Sequence, residues 1–193
     1  MRKRLLLMLL IAVLLACCIQ VLPAGRYEIY GKEPVLLGGA FRGEFTFLAP
    51  PETSRMIVRV EEYQGGEWRP FHEVYMDTGK ERKSFGGFGG TAAVTSWLDS
   101  SVLLDLDFCG SKGSSTVPYT RNASGWNSIR QYLREGRPIP MDEKFPIAIF
   151  IFDEADAFRT FTLDIYDEPD RLREYRLVQA VTLEFTTADG AGG

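Results

Sequence analysis

Few residues in this chain join a chemistry-bearing type to a spacing that would let it act. Asp105 and Asp107 stand two apart in an otherwise apolar stretch, so on a strand both carboxylates point the same way. Two carboxylates about 5 to 9.5 Å apart are the acid and base of a glycoside hydrolase. Same-face strand neighbours meet that spacing, but so does any solvent-facing pair. Asp153-Glu154-Ala155-Asp156 makes Asp153, Glu154 and Asp156 a weak metal candidate, because a hard cation such as Ca²⁺ collects about six to eight oxygens. The run lacks the D-x-D-x-D-G order, and a polar hairpin loop accounts for the same acids. Trp97 shares parity with Ala93 and Thr95, a mixed face that leaves its ring free to stack on a sugar or a partner. Trp68 is a second, weaker binding candidate, whereas Trp126 reads as a core anchor.

Other chemistries are poorly supplied. Cys109 is the one cysteine after residue 18, and His72 is the one histidine. A nucleophilic thiolate needs a base or a cation beside it, so these two would have to meet. A thiol packed as a small hydrophobe is the simpler reading. One His and one Cys do not make the usual tetrahedral zinc set. No G-x-S-x-G elbow is present, and Gly86-Gly87-Phe88-Gly89-Gly90 lacks the GK[ST] ending of a phosphate loop. No catalytic residue is assigned and no cofactor is expected.

The opening residues carry an address. Arg2, Lys3 and Arg4 precede an unbroken apolar run over residues 5–19, the layout of a secretory signal or membrane-directing helix. The run is short of the about 20 residues of a full span, although Val21 and Leu22 extend it past Gln20. Basic residues ahead of it keep the N-terminus inside and send the rest across. Leu14-Leu15-Ala16-Cys17 resembles the lipobox of bacterial lipoproteins, in which a small residue precedes the cysteine that is diacylated and becomes the mature N-terminus. The resemblance makes Cys17 the lipidation candidate. Leu15 is bulkier than the usual occupant, and Cys18 directly after is unusual. Lipidation, an uncleaved anchor and ordinary cleavage all remain open. The first two leave a domain tethered outside a membrane.

The formal charge is −4, and losing Arg2, Lys3 and Arg4 with the leader takes it to −7. A net acidic domain is repelled by phosphate backbones, which argues against nucleic acid. With a single cysteine after the leader, the domain has no internal disulfide and must rely on its core.

Downstream, short alternating segments predominate. Strands are expected over residues 26–30, 35–37, 41–48, 56–63, 68–76, 91–98, 102–108, 145–152, 160–166 and 175–185. Gly65-Gly66 marks the clearest hairpin. Residues 145–152 are apolar on both parities, the mark of a strand covered on both faces. Residues 110–115 read as a small-residue loop. One helix is expected after Asn122 or Ser124, with Trp126, Ile129 and Leu133 as its stripe and Gly136 as its C-terminal cap.

The expectation is a mainly β chain. Residues 1–23 are the leader or anchor, 24–187 an extracytoplasmic β-domain, and 188–193 a disordered tail. The architecture is a β-sandwich, immunoglobulin-like or jelly-roll-like, with one short α-helix; a partly open β-barrel is the alternative. The functional expectation is a non-enzymatic binding or cell-envelope module of bacterial lipoprotein type. It would be held to the cell membrane through its N-terminus, with an envelope protein or a glycan as partner. A carboxylate-dependent envelope hydrolase and a Ca²⁺-stabilised adhesion module are the rivals.

Overall fold

The computed structural model describes residues 27–79, 86–97, 100–154 and 161–187. The leader with Cys17, the loop residue Asp156 and the expected tail lie outside the described residues. In chain order the strands are β1 (Glu28–Gly31), β2 (Val35–Leu37), β3 (Ala40–Ala49), β4 (Arg55–Gln64), β5 (Glu67–Asp77), β6 (Phe88–Trp97), β7 (Ser101–Phe108), β8 (Ser111–Pro118), β9 (Asn127–Tyr132), β10 (Arg137–Pro138), β11 (Phe145–Asp153) and β12 (Leu177–Thr186). A 3-10 turn covers Leu163–Asp167, and a single-turn helix, α1, covers Pro169–Leu172.

The strands form two antiparallel sheets. The first runs β10-β1-β3-β6-β7-β8, with β2 pairing the start of β3; the second runs β5-β4-β12-β11-β9. Alternation sets the inner faces. Phe45 and Phe47 on β3, and Val102, Leu104, Leu106 and Phe108 on β7, are buried. They share one apolar cluster with Met56, Val58 and Val60 of β4, and with Val181, Leu183 and Phe185 of β12. The Phe47 and Phe185 rings meet edge-on at 5.1 Å across the two sheets.

β11 and β12 are apolar on their outer sides too, and those sides are covered. Phe161, Ile165, Tyr166 and Leu172 pack over Ile149, Ile151, Val178 and Ala180. Full burial of β11, expected from its double-parity pattern, is therefore met. The Gly65-Gly66 hairpin is also met. Both glycines have positive φ, 63° and 98°, the geometry of a type I′ turn that matches strand twist. Pro70 sits in β5, an edge strand, at a register shift opposite Val60 and Glu61. A missing N–H is harmless there.

Three expectations are corrected. The helix after Ser124 is instead β9, paired with β11 from Ala148↔Tyr132 to Asp153↔Asn127. The stripe of Trp126, Ile129 and Leu133 suited a helix. However, β11 is buried on both faces, and its free edge would leave N–H and C=O groups without partners. A strand at that edge satisfies them. Asn122 accepts the Ser124 N–H through Oδ1 at 2.9 Å in a local turn, and Gly136 lies beneath the Tyr30 ring. The one short helix is α1. The strand over 160–166 is replaced by the 3-10 turn, because these residues lie across a sheet and do not extend one. The loop over 110–115 is mostly β8, which pairs with β7 from Ser101↔Pro118 to Phe108↔Ser111. Its Ser- and Gly-rich outer edge carries almost no apolar signal.

Among the described residues no helix is long and apolar enough to cross a membrane.

Cys109 and Gly110 join β7 to β8 with φ of 55° and 80°. A β-branched side chain is least tolerated at such φ. Cys109→Val should therefore lower stability in urea unfolding by about 1 kcal/mol, seen as a lower midpoint at unchanged slope.

Candidate binding groove on the outer face of the first sheet

The outer face of the first sheet is polar, and strand register arranges its groups in rows. Arg42 faces Thr95, which faces Leu103. Glu44 faces Ala93, then Asp105, then Ser114. Thr46 faces Thr91, then Asp107, then Lys112. Small Ala93 sits between taller neighbours, and the surface sinks into a groove of about 540 Å³. Its walls include Lys32, Arg42, Glu44, Asp105, Asp107, Lys112 and Ser114.

These charges are bonded to one another. Arg42 donates through Nη1 to Asp105 Oδ2 at 3.0 Å and to Thr95 Oγ1 at 3.3 Å, and through Nε to Glu44 Oε1 at 3.2 Å. Lys32 Nζ reaches the other Glu44 oxygen at 3.2 Å. Ser114 Oγ donates to Asp105 Oδ1 at 2.9 Å, and Lys112 lies 3.8 Å from Asp107. The Arg42 guanidinium is held more basic than usual, chiefly by its bond to Asp105. The Glu44 carboxyl is held below its ordinary range, first by Lys32 and then by Arg42. Asp105 and Asp107 do share a face in a concave site. Yet both oxygens of Asp105 already accept bonds, so it stands as a structural acceptor within a neutralised network.

Trp97 lies on the same face one row beyond Thr95, opposite Ala40. Leu37 pairs with Ala40 and Val35 with Arg42. Trp97, Val35 and Leu37 are 40%, 53% and 53% exposed, and register sets them on β2 and the end of β6, outside the groove's lining. Arg42, Glu44, Lys32 and the exposed residues of β2 were not singled out from sequence. The alternation of β3 was the available signal, but which strands flank it is a long-range fact.

The remaining sequence candidates lie elsewhere. Trp68 stacks on Tyr166 at 4.6 Å and donates its indole N–H to the Tyr166 carbonyl at 3.0 Å, helping to cover the second sheet. Asp153 accepts the Glu154 N–H at 2.7 Å, and Glu154 pairs with Arg176 at 2.8 Å. No group of three or more His, Cys, Asp or Glu among the described residues is arranged to hold a metal. His72 Nε2 lies 2.8 Å from Ser115 Oγ, a bond that links the β5 and β8 edges of the two sheets.

Two buried carboxylates escaped the sequence reading. Glu61 is fully buried under residues 161–172 on the outer face of the second sheet. It bonds Lys144 Nζ at 2.7 Å, the Tyr166 hydroxyl at 2.9 Å and Thr182 Oγ1 at 3.2 Å. Burial, and then the Glu61 charge, push the Tyr166 hydroxyl well above its usual pKa. Glu62 points inward, accepting from Gln64 Nε2 at 2.9 Å and from the Thr120 hydroxyl, with Arg121 at 3.9 Å. Beside it the buried Gln179 donates to Thr120 at 3.4 Å, while its Oε1 has no partner. Alternation tells which face a strand residue takes, but not whether that face is later covered.

No family model matches this chain, and no curated protein and no solved structure shows significant similarity to it.

Two outcomes follow from these networks. Glu61→Ala should lower stability by about 3 kcal/mol in urea unfolding, because it strands buried hydroxyls and a lysine that lose their acceptor. Glu44 has a folded pKa below its unfolded value, so its contribution is present above about pH 4.5 and is lost as pH falls through the depressed value. The stability gap between the protein and Glu44→Gln should be widest at neutral pH, small because the site is exposed, and should close toward pH 3.

Proposed function

We propose that this protein is a non-enzymatic, membrane-tethered binding domain on the extracytoplasmic side, of bacterial lipoprotein type. In this reading the two facing sheets are a β-sandwich, and the outer groove of the first sheet takes a glycan or an envelope protein. One observation carries the binding reading. The groove on the first sheet has its acids and bases bonded to one another, with hydroxyls and backbone between them and the exposed Trp97 two residues beyond Thr95 on the same face. Neutralised polar walls beside an aromatic surface suit a polyhydroxylated ligand more than a reacting one.

In this reading the leader joins the domain ahead of Tyr27. Tyr27 hands its carbonyl to the Ile139 N–H at 2.9 Å and lies near the Ala49 end of β3. Trp97 lies opposite Ala40 at the other end. Ten residues of strand separate these ends, roughly 30 Å. A tether joined ahead of Tyr27 would attach at the end of β3 opposite Trp97.

A hydrolase is the second reading, favoured by the common groove of Asp105 and Asp107. Its network argues against it, since a general acid must be free to give up a proton toward substrate.

Mass spectrometry of the mature chain tests the tether. The expected product begins at Cys17 and carries acyl mass, and Cys17→Ser should retain the leader. An unmodified full-length chain in the membrane fraction would keep the tether and remove the lipid; the same chain free in the cytosol would overturn both. Co-sedimentation with purified insoluble cell-wall glycan tests the groove. Arg42→Ala and Trp97→Ala should each weaken retention by roughly tenfold, and retention equal to that of the unaltered protein would remove this surface. Asp105→Asn and Asp107→Asn should leave any glycan-hydrolysing rate of the preparation unchanged; its loss would revive the hydrolase.

A further inference from the structure

A second cavity, of about 450 Å³, opens at the Gly65-Gly66 end of the β4–β5 hairpin. Its charged walls are Arg121, Arg173 and Arg176, with Tyr63 and Tyr175 beside them and no Asp or Glu in the lining. Two other grooves differ. The one on the first sheet holds Lys32, Arg42 and Lys112 against Glu44, Asp105 and Asp107. A small one near Lys144 sets Arg137 and Lys144 against Glu143, Asp164 and Asp167. In a chain of net charge −4, this hollow is lined by three guanidiniums and no acid, and their acidic partners lie outside its wall.

The site is built and held. Arg121 donates through Nη1 to the Arg176 carbonyl at 3.1 Å, and its Nε lies 3.9 Å from the buried Glu62. Glu62 accepts one bond on each oxygen, from Gln64 and Thr120, and at 3.9 Å it attracts Arg121 without taking up a donor. Arg176 is steadied over the Trp126 ring and by Glu154, and Arg173 by Asp170 at 3.3 Å. These last two acids are at least half exposed, and such pairs hold little energy. Each guanidinium has five N–H donors, so most remain available to a ligand. A Cβ on Gly66 would stand 3.1 Å from Arg173 Nη2, so glycine there also leaves room for the fork.

We propose that this cavity binds a phosphate-bearing ligand. Planar guanidinium forks match phosphate oxygens in pairs, and the hollow is larger than a single phosphate needs, which suits a diphosphate or a phosphate joined to a further group. The cavity lies at the end of the β4–β5 hairpin away from Tyr27, and it depends on neither the groove on the first sheet nor the tether.

Calorimetric titration of the full-length chain with inorganic pyrophosphate at low salt tests this. The double variant Arg173→Gln/Arg176→Gln should weaken binding by roughly tenfold or more. Arg171→Gln, which removes one positive charge outside the cavity lining, should leave affinity within about twofold. An unchanged urea midpoint shows that both variants fold. Glycerophosphoglycerol, the soluble headgroup of a phosphodiester lipid, separates the sources. Preference for pyrophosphate assigns a terminal phosphate, and preference for the diester assigns a lipid headgroup or a diester-linked polymer, each lost in the double variant. No binding of either probe at two temperatures, or an equal loss in Arg171→Gln, would overturn the site.

Discussion

β11 and β12 lie side by side and are apolar on both faces, and the rest of the molecule is arranged around satisfying them. Each inward side chain needs the opposing sheet, which the seven strands of the first sheet supply through Phe45, Phe47, Leu104 and Phe108. Each outward side chain needs a separate cover, which residues 161–175 supply through Phe161, Ile165, Tyr166 and Leu172. Their backbone groups need neighbours on both edges, and β4 and β9 supply them. Burying a peptide group without a partner costs more than local helix preference returns, and this is why residues 127–132 extend.

The same constraint creates the buried polar sites. Once residues 161–172 lie across the second sheet, polar residues on that face lose water and must find protein partners. Glu61 finds Lys144, Tyr166 and Thr182, and Arg59 is held between Glu73 at 3.0 Å and Glu184. The outer face of the first sheet bears no such cover among the described residues. Its charges therefore stay hydrated, pair laterally and leave a groove. One face is closed and structural, and the other is open and able to meet a partner.

Charge is distributed by the same logic. Where strands lie in register, Arg42 can meet Asp105 and Glu44, so the groove is neutral over short distances. Where the hairpin turn meets the segment after α1, arginines gather with their acids turned outward or beneath. A chain that is acidic as a whole therefore lines this hollow with arginines and no acid, a contrast that overall composition hides.

Much of the architecture was legible in particular residues. The alternation of Val102, Leu104, Leu106 and Phe108, the double-parity run of β11 and the Gly65-Gly66 turn each state a local preference that the fold obeys. Asp105 and Asp107 were correctly read as sharing a face, because a period of two needs no tertiary knowledge. The stripe of Trp126, Ile129 and Leu133 misled, since it fits a helix as well as a strand edge, and the Ser-rich β8 was silent because its side chains bury little. By itself the sequence determined strand faces, turn positions and the chemical types on offer, all of which depend on neighbours a few residues away. Only the tertiary structure decided which strands pair, that Glu61 is sealed from water, and that Arg42 or Arg173 borders a hollow. Those outcomes depend on contacts between residues tens of positions apart, whose energies no local pattern records.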